Sequence, residues 1–156
     1  MAAEHRPTFS SALYGQLRLL AGLGAVDLAL IDPIIFEQVA ERLGKADERL
    51  ADARALLHAG RPLAAICAAY YVAYHAARAA VFAIAKDDVA WKEDLEKAIR
   101  RLLGDADAAS LAGLRKARNA AEYHPQAGFS DPASEAPRCI EEAERLLAKW
   151  KGAATA

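Results

Sequence analysis

Apolar side chains recur at helical spacing along most of this chain. Ile35, Val39, Leu43, Leu50 and Leu57 fall on one stripe, and Glu, Lys, Asp and Arg fill the positions between. Apolar positions three and four apart line one face of a helix, so the stripe predicts an amphipathic helix from Pro33 to Ala59. Asp32-Pro33 reads as its N-cap and first helical residue, and Gly60 as its stop. A second helix is predicted from Pro62 to Ala85, and the short Gly60-Arg61-Pro62 connection makes it an antiparallel neighbour. It is apolar nearly all round, which predicts a place at the centre of a bundle.

Three more helices follow. Asp87-Asp88 reads as the cap of one from Val89 to Leu103, with Trp91, Leu95, Ile99 and Leu102 inward and Gly104 ending it. The next runs from Asp107 to Tyr123, with Leu111, Leu114, Ala117 and Ala121 inward. Pro125 limits it, because the residue before a proline disfavours helical angles. Gln126 to Pro132 reads as a loop. The last helix, Ser134 to Lys151, buries Ile140, Ala143, Leu147 and Trp150. Residues 1–31 form an N-terminal extension with one short helix, Ala12 to Leu23, capped by Ser10 or Ser11 and ended by Gly22 and Gly24. Leu13, Leu17 and Leu20 share a face there, suited to strapping the bundle or to docking a partner. Residues 152–156 read as a disordered tail. The prediction is an all-α bundle over residues 32–151, four core helices with one extra at an end, and an extra helical segment in front.

Composition agrees with that class. Alanine is the commonest residue and β-branched residues are scarce. A chain of 156 residues fits one domain and can bury a real core. The net charge of -1 at pH 7 is not the basic balance of a nucleic-acid coating protein. Any RNA contact would come from a local patch or from a groove between two subunits. Cys67 and Cys139 lack metal-ligand spacing and are too few for a disulfide framework. Both read as small buried hydrophobes, which suits a reducing cytoplasm. The N-terminal residues lack a signal-peptide core. Pro62 to Ala85 is long and apolar enough to resemble a membrane span, but His75 and Arg78 near its middle would be costly in lipid.

The sequence holds no phosphate-loop or dinucleotide glycine motif, no HExxH, no CxxC and no GxSxG. Two constellations remain. Tyr71, Tyr74, His75 and Arg78 lie three and four apart on the central helix and share a face. They form a satisfied polar seam that fixes helix packing, a support for a neighbouring site, or a site in which His75 is itself catalytic. The second is Arg115-Lys116-Ala117-Arg118-Asn119-Ala120-Ala121-Glu122-Tyr123-His124-Pro125. Here Arg118 and Glu122 are spaced for a plain ion pair, and His124 for a helix C-cap. Arg118 and His124 are about 120° apart around the axis and about 9 Å apart along it. A site using both needs His124 swung out at the Pro125 break, or a second copy of the segment from a symmetry mate.

The order of these features resembles the HEPN superfamily (higher eukaryotes and prokaryotes nucleotide-binding). Leu56-Leu57-His58-Ala59-Gly60 leads into Ala69-Tyr70-Tyr71-Val72-Ala73-Tyr74-His75-Ala76-Ala77-Arg78-Ala79, which is similar to that family's tyrosine-rich second helix. Arg118-Asn119-Ala120-Ala121-Glu122-Tyr123-His124 is similar to its signature of an arginine, a polar residue and a spaced histidine. The resemblance covers roughly residues 36 to 151. It implies an up-down bundle of four or five helices, and a homodimer whose two Arg–His segments face each other and form a metal-independent endoribonuclease site. Arg118 and His124 would be catalytic and Asn119 the polar accessory. Tyr71, Tyr74, His75, Arg78 and Arg115 would support them, and no cofactor is expected. The implied substrate is single-stranded RNA. Many members are toxins paired with a minimal nucleotidyltransferase antitoxin. Others are non-catalytic modules that bind RNA, a nucleotide or a partner. Two positions depart from the toxin pattern: Pro125 follows the histidine directly, and Gln126 stands where some toxins carry a tyrosine that the antitoxin modifies.

Overall fold

A computed structural model describes residues 14–124 and 128–156. Among these residues there are six helices and no strand: α1 (Tyr14–Gly22), α2 (Leu28–His58), α3 (Pro62–Ala85), α4 (Lys92–Leu103), α5 (Asp105–Tyr123) and α6 (Pro132–Thr155). The all-α bundle read from the sequence is present, preceded by a short helix.

α3 is the hub. α2, α4, α5 and α6 all pack on it, while α2 and α5 do not meet. Ala65, Ala69, Ala73, Ala76, Ala77, Ala79 and Ala80 are all fully buried. A side chain that stops at Cβ lets neighbouring helices approach closely, and alanine is also the best helix former. Larger groups fill the remaining space: Ile66, Tyr70 and Val81 from α3, Ile99 from α4, Leu111 from α5, Leu146 and Trp150 from α6. Burial of each of these contributes about 1.5–3 kcal/mol. Added volume is what α3 cannot absorb. Ala76→Leu would push its neighbours off their rotamers at a cost of about 1–3 kcal/mol. Among the described residues no helix is long and apolar enough to cross a membrane. The apolar stretch of α3 is accounted for by its position in the bundle.

The turn from α2 to α3 follows the sequence closely. Arg61 donates its N–H to the Leu56 carbonyl at 2.9 Å and Gly60 to that of Leu57 at 3.0 Å, with Gly60 at φ 70°. This double closure satisfies the last α2 carbonyls, and Pro62 starts the next helix without needing its missing N–H.

Other boundaries differ from the expectation. α2 starts at Leu28, not Pro33, and the Asp27 carboxylate caps it by accepting from the Ala29 N–H at 2.9 Å. Pro33 therefore lies inside the helix. The extra turn is held by Ile31, buried one turn ahead of Ile35, so the apolar stripe begins one step earlier. Asp87-Asp88 does not cap α4. That helix begins at Lys92, because the Asp88 carboxylate is drawn to two arginines instead. Trp91 was expected inward and is 77% exposed, since it precedes the helix and does not share its inner face. α5 begins two residues early, at Asp105, straight after Gly104 at φ 111°. α6 begins at Pro132 on an Asp131 cap and runs to Thr155, so residues expected as a disordered tail are helical. In α1, Leu20 is 40% exposed, while Leu13 and the Leu17 side chain, expected on the same face, lie outside the described residues. The expected Ser10 or Ser11 cap, Pro125 and Gln126 also lie outside them.

Candidate functional site

Arg118 projects inward from the last turns of α5 and is only 8% exposed. Three neighbours hold its guanidinium. One η-nitrogen donates to the Asn119 side-chain oxygen at 3.0 Å. The other donates to the Tyr71 hydroxyl at 3.2 Å and pairs with the Glu122 carboxylate at 2.5 Å. The Tyr71 and Tyr123 rings flank it, with centroids 5.7 and 5.5 Å from its central carbon. Burial works against the charge, but Tyr71, Glu122 and Tyr123 outweigh it and raise the guanidinium pKa. The Nε–H is buried without a partner among the described residues. From below, the Cys67 thiol reaches the Arg118 carbonyl at 3.9 Å.

His124 lies at the C-cap of the same helix and is exposed. Its N–H donates to the Ala120 carbonyl at 2.9 Å, and its carbonyl accepts from Gly128 at 2.8 Å. A Cβ on Gly128 would come within 2.7 Å of the Ala120 Cβ and 2.9 Å of the His124 carbonyl. Gly128 therefore sits against Ala120 and the His124 carbonyl only because it has no side chain. One α5 thus turns Arg118 inward and carries His124 at its exposed end.

The aromatic face of α3 forms as expected. Tyr71, Tyr74 and His75 are in mutual ring contact, with centroids 5.3 to 6.4 Å apart. Only Tyr71 of these reaches Arg118. Tyr74 donates its hydroxyl to the Ala90 carbonyl at 2.8 Å. Arg78 turns to Asp88 at 2.8 Å, and Arg42 of α2 takes the same carboxylate at 2.9 Å. Arg42 also stacks over Phe82, 4.5 Å from the ring centroid. Burial first, then the charges of Arg78, Lys45, Arg49 and Arg42, push the His75 pKa down to about 4. A neutral imidazole with a buried, unpartnered Nδ1 is a packing group of the seam. Arg115 is engaged elsewhere, with Glu93 at 3.0 Å and Glu96 at 3.2 Å.

Arg118, Asn119 and Tyr71 therefore form one constellation, Tyr74 and His75 continue it along α3, and Arg78 and Arg115 belong to separate ion-pair clusters. Sequence reasoning missed the Arg42–Asp88–Arg78 bridge, whose partners lie far apart in the chain, and the Tyr123 ring beside Arg118. Burial raises the Cys67 pKa and pushes that of Cys139 up to about 11, which disfavours the reactive thiolate in both. Clefts of about 550 and 340 Å³ border α5, but on the side facing α6 and Gly128 to Asp131, away from Arg118.

A family model described as the HEPN domain matches residues 39–152. The chain belongs to the HEPN family. The match takes in most of α2, all of α3 to α5, and α6 as far as Gly152, so every cluster above lies inside the HEPN domain. α1 and the first turns of α2 precede it. Membership places the chain in a family of ribonucleases and nucleotide-binding modules. No curated protein matches it.

Proposed function

We propose that this HEPN domain is a metal-independent endoribonuclease whose working site is shared by two copies of the chain. The observation that carries the reading is the oriented guanidinium of Arg118 on the same α5 that ends in an exposed His124. Cleaving RNA without a metal needs the 2′-hydroxyl to attack the adjacent phosphorus. A bond forms from the 2′-oxygen to phosphorus, the bond to the 5′-oxygen breaks, and the leaving oxygen takes up a proton. An imidazole can accept the 2′-hydroxyl proton near neutral pH. A guanidinium can bind the phosphate and stabilise the charge that builds on it. DNA lacks the 2′-hydroxyl and is not a substrate.

One regular helix separates the two side chains by about 9 Å along its axis, and a second copy of the chain is one way to supply the missing partner. A two-fold axis near the end of α5 would set His124 of each copy against Arg118 of the other. The interface would include α5 and the Tyr71, Tyr74 and Arg78 side of α3. Light scattering at micromolar concentration should give a dimer, and a monomer counts against the shared site. The purified protein should cut single-stranded RNA in EDTA, and His124→Ala should abolish cutting. Cleavage that survives His124→Ala overturns this assignment. The biological role that fits is the toxin of a toxin–antitoxin pair, with a minimal nucleotidyltransferase as antitoxin. Induced expression should arrest growth in the wild type and not in His124→Ala.

A second reading is favoured by one observation. Arg118 is nearly buried and already paired with Glu122, as suits a non-catalytic module that binds RNA, a nucleotide or a partner protein. Under it, expression is harmless and Arg118→Ala alters binding only.

A further inference from the structure

The ion pair between Arg118 and Glu122 runs against the local electrostatics of its helix. Glu122 sits in the last turn of α5, where the backbone dipole disfavours a carboxylate, and that turn holds no basic residue. The order is also the weaker one, since an acidic residue four places before a basic one stabilises a helix better than the reverse. The two partners are unequally held. The Arg118 side chain is 9% exposed and fixed by Tyr71 and Asn119, whereas that of Glu122 is 42% exposed and has Arg118 as its ionic partner. Tyr71 and Asn119 are neutral, so Glu122 supplies the negative charge opposite the guanidinium. Among the described residues the buried Nε–H still lacks an acceptor.

We propose that Glu122 is the gate of the Arg118 site: its carboxylate holds the anion position in the free protein, and an RNA phosphodiester enters by exchanging with it. The inference rests on the reading of Arg118 as the phosphate-binding group. Only Glu122 has to move for the exchange, because Tyr71 and Asn119 keep the guanidinium in place throughout. A phosphodiester oxygen can take the η-nitrogen position that Glu122 vacates, and the group carries the one negative charge that Glu122 takes away. Glu122 then sets specificity by competition, and an anion that binds Arg118 less well than this tethered carboxylate stays out. It is a positioning and gating residue, not a catalytic one.

The test is a double-mutant cycle read by fluorescence anisotropy with a short 2′-O-methyl oligouridine, which cannot be cut. Glu122→Gln should tighten binding about two- to fivefold, the size of a partly exposed ion pair. In an Arg118→Gln background it should change nothing, because the competitor no longer has a site to occupy. Glu144→Gln removes a similarly exposed charge paired with Arg54 and should leave affinity unchanged. Equal tightening with and without Arg118, equal tightening by Glu144→Gln, looser binding by Glu122→Gln, or no binding by either protein overturns the gate. Where Arg118→Gln does not fold, the wild type alone decides. The Glu122 carboxyl 13C resonance should shift on adding the oligonucleotide, and a resonance that stays put overturns exchange. Failure of the nuclease reading is distinct: unmodified RNA stays whole while the cycle still shows coupling.

Discussion

Asp107 gives the sharpest test of how the bundle is held. Its carboxylate is 2% exposed, at the first turn of α5, and accepts from the Trp150 indole N–H at 3.0 Å and from Lys149 at 2.8 Å. Trp150 is fully buried, so in Asp107→Ala its N–H has neither a protein acceptor nor water. An orphaned buried donor costs about 1–3 kcal/mol, and losing a carboxylate from a helix N-terminus costs about 0.3–1 kcal/mol more. The Lys149 side chain is half exposed, and its pairing adds little. Asp107→Ala should therefore cost about 1.3–4 kcal/mol, which lowers Tm by roughly 3–15 °C for a domain of this size. Asp107→Asn keeps an oxygen for the indole and loses only the charge, so it should cost about 1 kcal/mol. Urea unfolding followed by circular dichroism measures both. A loss under about 0.5 kcal/mol in Asp107→Ala, or equal losses in the two variants, would refute the buried-acceptor account.

Three further outcomes are expected. His75 stays neutral in the fold down to pH about 4, while the unfolded chain takes up that proton below the ordinary histidine value of 6.5. The unfolded state therefore gains stability as pH falls from 6.5 towards 4. His75→Gln should lose less of its urea midpoint than the wild type between pH 7 and pH 4.5, and parallel losses would discard the assignment. Lys86 ends α3 at φ 56°, where a side chain is strained. Lys86→Gly should raise stability by up to about 1 kcal/mol, seen as a Tm increase of a few degrees, and a decrease would count against strain there. Gly128→Ala must push the loop off the end of α5, so the His124 amide resonance should shift and any RNA cleavage should drop. An unmoved resonance would show that the close approach is not maintained in solution.

Much of the fold was legible because helical periodicity carries across whole elements. The Ile35, Val39, Leu43 stripe, the Gly60 stop and the Pro62 start each have a local cause, and each stands where it was read. The errors came where two local signals competed or where a distant partner decided. Asp32-Pro33 is a good helix start, yet Asp27 is also a good cap, and burial of Ile31 settles the choice. Asp88 looks like a cap until Arg42, 46 positions away, claims its carboxylate. Trp91 matches the period of α4 but lies before its first turn. The site divides in the same way. Asn119 beside Arg118 and Glu122 four residues on follow from spacing. Tyr71 reaches Arg118 from 47 positions away, a contact that no local pattern encodes. Family resemblance put Arg118 and His124 in one site, while the structure points one inward and leaves the other exposed.

The stripe of small residues on α3 has a practical consequence. Alanine scanning treats that residue as the silent reference, so a scan would step over much of the most densely surrounded helix and record nothing. Here the informative probe runs the opposite way, from small to large. Intolerance to an added ethyl or isobutyl group at Ala69, Ala73, Ala76 or Ala80 would map the closest backbone approaches. Tolerance at any of them would reveal slack that the static picture hides.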